Sequence, residues 1–453
     1  MNTQSPPISA VDRERECHDC GLFQCVPILP TNGEANCLRC DAILRRTRSH
    51  GFERSMALSI TSMVFYLIAV TSPFLTAEIV GRQTQTTMIS LPIAFWNDGS
   101  WILALIVTAT AIVAPFLKIT VMMTVQVGLR TANPPRFLPS LFKWYQRIGP
   151  WAMVEVFLLG VFVAFTRLGS IATVQVGVAL YAVAALMLTM VAADYLLDAD
   201  EIWETMERRG VVPPPRPRVP GGVTTGCDVC GRVNAAPEGE RCSRCHSVLR
   251  ARRPNSVANT WALLFAAAML YLPANIYPVM TIEQLGQTYP STILGGAREL
   301  LEAGMWPLAL LVFVASLMVP MLKLLSLTLM LVQTRRGSGW RLHDRTRLYR
   351  LVEFIGRWSM IDVFMMATLV GLVHAGAIAT ILPGLGAVCF GSVVVLTMIA
   401  TSCFDPRIMW DMAGEQGAEY HLYIPHTPGP GAGPSVLSIP DRRPTGPVQP
   451  SEA

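Results

Sequence analysis

Charge is scarce in this sequence. Only 15% of its 453 residues are Asp, Glu, Lys or Arg, against 52% hydrophobic, whereas soluble domains carry about a quarter charged residues. That deficit excludes an ordinary soluble protein and makes the membrane the natural solvent. The chain also lacks a P-loop of the form G-x4-G-K-[ST], so any energy source has to be a partner or the proton gradient. Its first fifty or so residues are polar and cysteine-rich without an apolar h-region, which excludes a signal or transit peptide and predicts a cytosolic N-terminus. No soluble module concentrates basic and aromatic residues, which argues against nucleic acid as a partner. No nucleophile and base stand together in a recognisable motif, so the expectation is a protein that is not an enzyme.

What the chain has instead is apolar runs long enough to cross a bilayer core of about 30 Å, roughly 20 residues each. Eight are predicted, near residues 56–77, 100–127, 150–167, 174–197, 257–279, 304–332, 358–376 and 385–403. Arg130, Arg136, Lys143 and Arg147 follow the second run, and Arg335, Arg336, Arg341, Arg345, Arg347, Arg350 and Arg357 follow the sixth. The segments of opposite side hold little more than Arg82 and Arg298. By the positive-inside rule the basic segments and both termini are cytosolic, and the formal net charge of +5 is a topology signal.

The chain repeats itself at an offset of about 205–210 residues. CLRCDAILRR from Cys37 is echoed by CSRCHSVLRARR from Cys242, PFLTAEIVG from Pro73 by PVMTIEQLG from Pro278, and WILALIVTATAIVAPFLK from Trp101 by WPLALLVFVASLMVPMLK from Trp306. IGPWAMVEVF from Ile148 matches IGRWSMIDVF from Ile355, and LTMVA from Leu188 matches LTMIA from Leu396. Each half has an even number of spans, so the two are parallel repeats. The expected fold is an all-α polytopic membrane protein of two tandem units, each a small four-cysteine zinc ribbon plus a four-helix transmembrane bundle. Its parts are an N-terminal tail (1–14), ribbon 1 (15–50), bundle 1 (51–205), a Pro-rich linker (206–222), ribbon 2 (223–253), bundle 2 (254–412) and a cytosolic, largely disordered tail (413–453).

Eight of the eleven cysteines form paired C-x2-C knuckles: Cys17, Cys20, Cys37 and Cys40, then Cys227, Cys230, Cys242 and Cys245. Four thiolates suit tetrahedral Zn(II) in a closed structural site, one ion per ribbon. A redox pair and a rubredoxin-type iron centre are the competing readings, and disulfides do not suit a reducing cytosol. His18 and His246 read as bystanders beside complete ligand sets. Cys25, Cys389 and Cys403 read as small buried residues, and His374, at the outer end of the seventh run, as a solvated boundary residue.

Ionisable residues inside spans are rare and usually functional. Lys118 lies in the second run, about 15 Å deep at 1.5 Å per residue, and Glu155 falls in the third; Lys323 and Asp362 repeat the arrangement. A Lys and a carboxylate in one layer are expected to pair. The second half adds Ser316, Ser359 and Thr397, the last the counterpart of Thr189, where the first has Ala152 in place of Ser359. Ser316, Lys323, Ser359, Asp362 and Thr397 are thus a candidate network that moves a proton or senses substrate; a static ion pair locking the bundle is the alternative. Lys118, Glu155 and Thr189 are secondary candidates. Pro115 and Pro320, each three residues before a buried Lys, are expected to kink their helices and free a carbonyl for the polar site.

PANIYPVM, WPLALLVFVASLMVPMLK, IGRWSMIDVF and FDPRIMWD, preceded by twin C-x2-C ribbons, resemble the paraquat-inducible protein A family over about residues 15–412. The resemblance implies a multi-pass protein of a bacterial inner membrane that works with an MCE-domain periplasmic tunnel protein to move phospholipid between membranes. It also places the family's buried polar network on Ser316, Lys323, Ser359, Asp362 and Thr397. A redox- or metal-sensing membrane protein and a non-transporting scaffold that recruits the tunnel are the competing functions.

Overall fold

A computed structural model describes residues 14–26, 29–30, 32–48, 51–79, 82–168, 173–214, 223–284, 287–373 and 379–414. Most of the N-terminal tail, much of the Pro-rich linker, nearly all of the C-terminal tail and His374 lie outside them.

Among the described residues, eight helices are long and apolar enough to cross a membrane: Gly51–Thr71, Trp101–Arg130, Leu138–Arg167 and Val178–Leu196 in the first half, then Ser256–Ile276, Trp306–Arg335, Leu342–Leu372 and Leu385–Cys403 in the second. The third and seventh begin a dozen or more residues before the apolar runs do. Their ribbon-side parts, Leu138–Ile148 and Leu342–Ile355, are amphipathic helices joined to the apolar part through short 3-10 turns, Gly149–Trp151 and Gly356–Met360. Hydropathy alone truncates such a helix, because charged residues on one face lower its average.

The spans are helical, but the outer connections, those on the side away from the ribbons, are not all-α. Leu75–Ile79, Arg82–Thr86 and Thr173–Val176 form a three-stranded antiparallel sheet with Leu75–Ile79 in the centre. Met280–Gln284, Gln287–Ser291 and Ala379–Pro383 repeat it in the second half. Each sheet ties the hairpin after the first span of its half to the strand before the last. The sequence of these segments is polar and threonine-rich and suits strands. A short outer helix follows each hairpin, Ser90–Asn97 and Ile293–Glu302.

In each half the first and last spans pack together, while the third and seventh spans meet at the centre and join the halves. Phe157 and Phe364 stack edge to face at 5.5 Å across this seam. Gly160 permits the approach: a Cβ there would lie 2.7 Å from Phe364 Cβ and 2.9 Å from the Ile361 carbonyl. Gly160→Leu should therefore push the halves apart and destabilise the fold by at least the ~1–3 kcal/mol typical of overpacking, read as a lower thermal midpoint of the purified protein; an unchanged midpoint would refute the tight seam.

The second and sixth spans are interrupted at their middle by π-helical turns, Thr108–Val113 and Val314–Met318, just before Pro115 and Pro320. A proline has no N–H to close the ladder, and a wider turn accommodates its ring. The expected free carbonyl does not serve the buried lysine. Tyr66 donates to the Ile112 carbonyl at 3.1 Å, and Tyr271 to that of Leu317 at 3.2 Å, in each half the carbonyl next to the one that the missing proline N–H leaves open.

Candidate functional site: exchanged cysteine ribbons and an asymmetric polar interior

Each knuckle is a tight C-x2-C turn closed by a backbone bond to the first cysteine, as in Gly21 N to Cys17 O at 2.9 Å. The residue after the second cysteine is left-handed in all four: Gly21, Asp41, Gly231 and His246. That is why His246 stands beside a ligand: it fills a turn position and its neighbour Cys245 does the ligating. His18 is largely exposed and lies 3.5 Å from Asp19.

All eight knuckle cysteines are buried, and the four sulfurs of each set lie within 4.8 Å of one another. Facing pairs, Cys17–Cys40, Cys20–Cys37 and Cys227–Cys245, are 3.5 Å apart, and Cys230–Cys242 are 3.6 Å apart. A disulfide requires about 2.05 Å, whereas metal–sulfur bonds of about 2.3 Å place tetrahedral thiolates about 3.8 Å apart. The donor set thus fits a four-coordinate metal in each ribbon. Backbone N–H groups of Arg39 and Arg244 point at Cys37 and Cys242 sulfurs at 3.5 and 3.4 Å, and Arg350 reaches Cys40 Sγ at 3.3 Å, donors that moderate thiolate charge. Cys25, Cys389 and Cys403 are half-buried, so the expectation that they are buried is corrected.

The ribbons are exchanged between halves. Cys17, Cys20, Leu22, Cys37 and Ala42 of ribbon 1 share an apolar cluster with Leu327, Leu331, Leu342, Tyr349 and Trp410 of the second half. The cysteines of ribbon 2 cluster instead with Met122, Phe142, Ile202, Trp203 and Met206 of the first. The Arg inside each C-x-R-C knuckle marks the seat. Arg39 lies over the Trp410 ring at 4.4 Å and Arg244 over Trp203 at 5.8 Å, cation–π contacts in equivalent places. Arg350 grips ribbon 1 through Asp19 at 2.5 Å and the Cys40 carbonyl at 2.8 Å. Arg232 and Arg244 grip Glu207 of the cap helix Ala199–Arg208. Between the ribbons, Arg407 bonds Glu16 at 3.1 Å, Asp228 at 2.8 Å and Asp405 at 2.9 Å. Burial raises Asp405, but the Arg407 hydrogen bonds outweigh it and hold the carboxyl below its ordinary range.

Inside the membrane the two halves differ. Lys118 pairs with Asp194, whose other oxygen accepts from Tyr145 at 2.7 Å. Glu155, expected beside Lys118, reaches across the seam to Arg357 at 3.7 Å. Thr189 accepts from Ser62 at 2.9 Å. In the second half Asp194 has Ser402 as its repeat partner, and among the described residues Lys323 has neutral partners only: the Gly356 carbonyl at 3.0 Å and Thr397 Oγ at 3.3 Å. Ser359 donates to the same carbonyl at 2.8 Å. Lys323 is only 2% exposed.

The expected Lys323–Asp362 pair is absent among the described residues, and the five-residue network resolves into two groups. Lys323, Ser359 and Thr397 converge on Gly356. Asp362 and Ser316 adjoin each other on the side away from the ribbons, with the Ser316 hydroxyl beside the carboxylate. The helix geometry explains the split, since Ser359 lies in a 3-10 turn and Asp362 in the first turn of the next helix, which rotates their side chains apart.

Sequence reasoning missed Asp194, Gly356 and Arg167. Asp194 and Arg167 are ionisable residues within or at the end of apolar runs, the same signal that marked Lys118. Gly356 is the glycine of the repeated IG-x-W motif, and a Cβ there would lie 2.5 Å from Lys323 Cε.

The Paraquat-inducible protein A family profile matches residues 52–207 and again 257–413, one match per transmembrane half. The chain is 33% identical over 413 residues to the Intermembrane transport protein PqiA of Escherichia coli strain K12, covering 89% of this chain and 97% of that protein. It is 30% identical over 407 residues to the Lipophilic envelope-spanning tunnel protein A of the same strain, covering 89% and 92%, and 26% identical over 421 residues to a Probable intermembrane transport protein of Haemophilus influenzae, covering 90% and 97%. No solved structure matches. Two family segments in tandem, relatives matched over nearly their whole length, eight membrane-spanning helices and two four-cysteine ribbons lead to one conclusion: this chain is a multi-pass membrane protein of the paraquat-inducible protein A family.

Proposed function

We propose that the protein carries phospholipid between the inner and outer membranes of a diderm bacterium, exchanging it with a periplasmic tunnel protein built of MCE domains. In this reading it resides in the inner membrane, with ribbons and termini in the cytosol and one Zn(II) in each ribbon. The names of its relatives support transport between membranes, and the positive-inside distribution of Arg and Lys supports the orientation.

The observation that carries the reading is Lys323, buried in the membrane interior against a carbonyl and a hydroxyl with no acid within pairing distance among the described residues. Its repeat partner Lys118 has its acid and reads as a static brace. A cation without a counter-charge is expensive in lipid, and its protonation state is coupled to any motion that brings water or a phosphate towards it. The second half is therefore the working half and the first its support.

The test is transfer of a photo-crosslinkable, radiolabelled phospholipid in membranes containing the protein and its MCE-domain partner. Lipid is expected on both proteins with the wild type, and is expected to be missing from the tunnel with Lys323→Ala. Equal labelling of the tunnel by wild type and variant would favour a scaffold that only recruits it.

A further inference from the structure

The first half carries a groove of about 350 Å³ between its second and third spans. One wall is the apolar face of the second span, with Ala109, Ala114 and Leu117, where the π-helical turn Thr108–Val113 gives way to the helix Ala114–Arg130. The other wall presents Trp144, Arg147 and Trp151 from the ribbon-side part of the third span. Arg147 stands in the last turn of the amphipathic helix Leu138–Ile148, just before the apolar part of the span begins at Val154. A cation at that boundary with a tryptophan on either side marks the level of lipid headgroups.

Three features make this a seat for a ligand with an apolar body and a negative head. The Arg147 guanidinium has no ion-pair or hydrogen-bond partner among the described residues. Lys143, four residues earlier and on the same helix face, has none either. No acid among the described residues lines the groove, and Glu155, a turn beyond Trp151, is engaged by Arg357 at 3.7 Å. The groove also belongs to one half of the repeat. Where the first half has Ala109, Ala114, Trp144 and Arg147, the second has Val314, Val319, Leu351 and Phe354, side chains that take up space on the span and remove the cation.

We infer that this groove holds one resident anionic phospholipid, with its phosphodiester on Arg147 and an acyl chain against Ala109, Ala114 and Leu117. Basic pockets between spans are where such headgroups bind. A zwitterionic headgroup brings an ammonium for which the groove has no acid, so a headgroup without an amine is preferred. The lipid is a fixed part of the first half and is not cargo: it lies away from Lys323 and fills the angle between two spans of the supporting bundle. Such a lipid follows from membrane residence alone, whether or not the protein transports lipid.

The test uses the full-length protein, stripped of lipid in detergent and titrated with phosphatidylglycerol, phosphatidylethanolamine or soluble glycerophosphoglycerol. Bound lipid is counted by native mass spectrometry, and the thermal midpoint is read alongside. The wild type should bind phosphatidylglycerol at least about fivefold more tightly than phosphatidylethanolamine, the scale of one basic side chain facing an anionic lipid, and its midpoint should rise with binding. The soluble headgroup should do neither. Arg147→Gln, at an exposed position that the fold does not depend on, should bring the two lipids close to parity. Ala109→Val combined with Ala114→Val, which copies the second half, should lower phosphatidylglycerol binding several-fold with the lipid-free midpoint unchanged. Lys323→Met should leave that binding as it is. Equal binding of the two lipids by the wild type, a preference unmoved by Arg147→Gln, full binding by the double variant, stabilisation by the soluble headgroup, or loss of the lipid with Lys323→Met overturns the resident site. None of these outcomes decides whether the protein transports lipid.

Discussion

Lys323→Met should lower delivery of lipid to the tunnel partner at least tenfold while leaving the protein as stable as the wild type. The substitution keeps length and apolar character and removes a charge that no acid among the described residues offsets, so the desolvation cost of burying an ammonium disappears with it. The loss falls on function alone. Lys118→Met should behave in the opposite way. It strands Asp194 and the hydrogen bond from Tyr145, and costs roughly 1–2 kcal/mol, less than a fully buried pair because the Asp194 side chain is 41% exposed and water takes over part of the role. Transport per folded molecule should be little changed. Lipid transfer and thermal unfolding on both variants check this, and equal loss of transport from the two would contradict a division into working and supporting halves. Gly356→Ala is a companion to the first: its methyl displaces the lysine from its carbonyl and should reproduce the transport defect with every charge intact.

The second large effect concerns the ribbons. Cys245→Ser should lower the bound metal from the proposed two ions per chain to one and unfold ribbon 2, because such sites draw on the order of 10 kcal/mol of folding free energy from the metal. Trypsin should then cut within the basic run Arg250–Arg253, where the native Arg252 is held by Asp411 at 2.6 Å and Glu16 at 3.2 Å. Cys40→Ser should instead release ribbon 1 from Arg350 and Trp410 on the second half. Metal analysis with limited proteolysis reads both outcomes. A colourless protein fits zinc, whereas visible absorption would identify iron thiolate and favour the sensor function. Two ions retained by either variant would show that the four cysteines do not act as one set.

Much of this architecture is legible in the sequence, for identifiable reasons. A four-thiolate set is written in the spacing of the knuckles, and the eight spans in the length of the apolar runs, because both depend on local pattern. Lys323 and Asp362 stand out for the same reason: each is a charge where lipid tolerates few. Their partners do not. Which acid faces which lysine depends on the rotation imposed by the π-helical turn before Pro320 and the 3-10 turn at Gly356, and periodicity assumes an unbroken helix. The outer sheets escaped because their strands are five residues or fewer and join segments about 100 residues apart. The exchange of ribbons is a matter of tertiary reach, which the repeat conceals, since each ribbon precedes the bundle it does not chiefly pack on. The clues were present as pairs: a C-x-R-C arginine in each ribbon and a tryptophan, Trp203 or Trp410, in the short helix after the last span of each half.

The exchange also says something about ancestry. A half of this protein produced alone would carry a ribbon without its seat and a seat without its ribbon, but two identical copies would complete each other by reciprocal swapping around a two-fold axis. The seam between the third and seventh spans would then be an isologous contact. The present chain reads as such a homodimer fused by gene duplication, and fusion is what lets its two copies differ, with Asp194 in one where the other has Ser402.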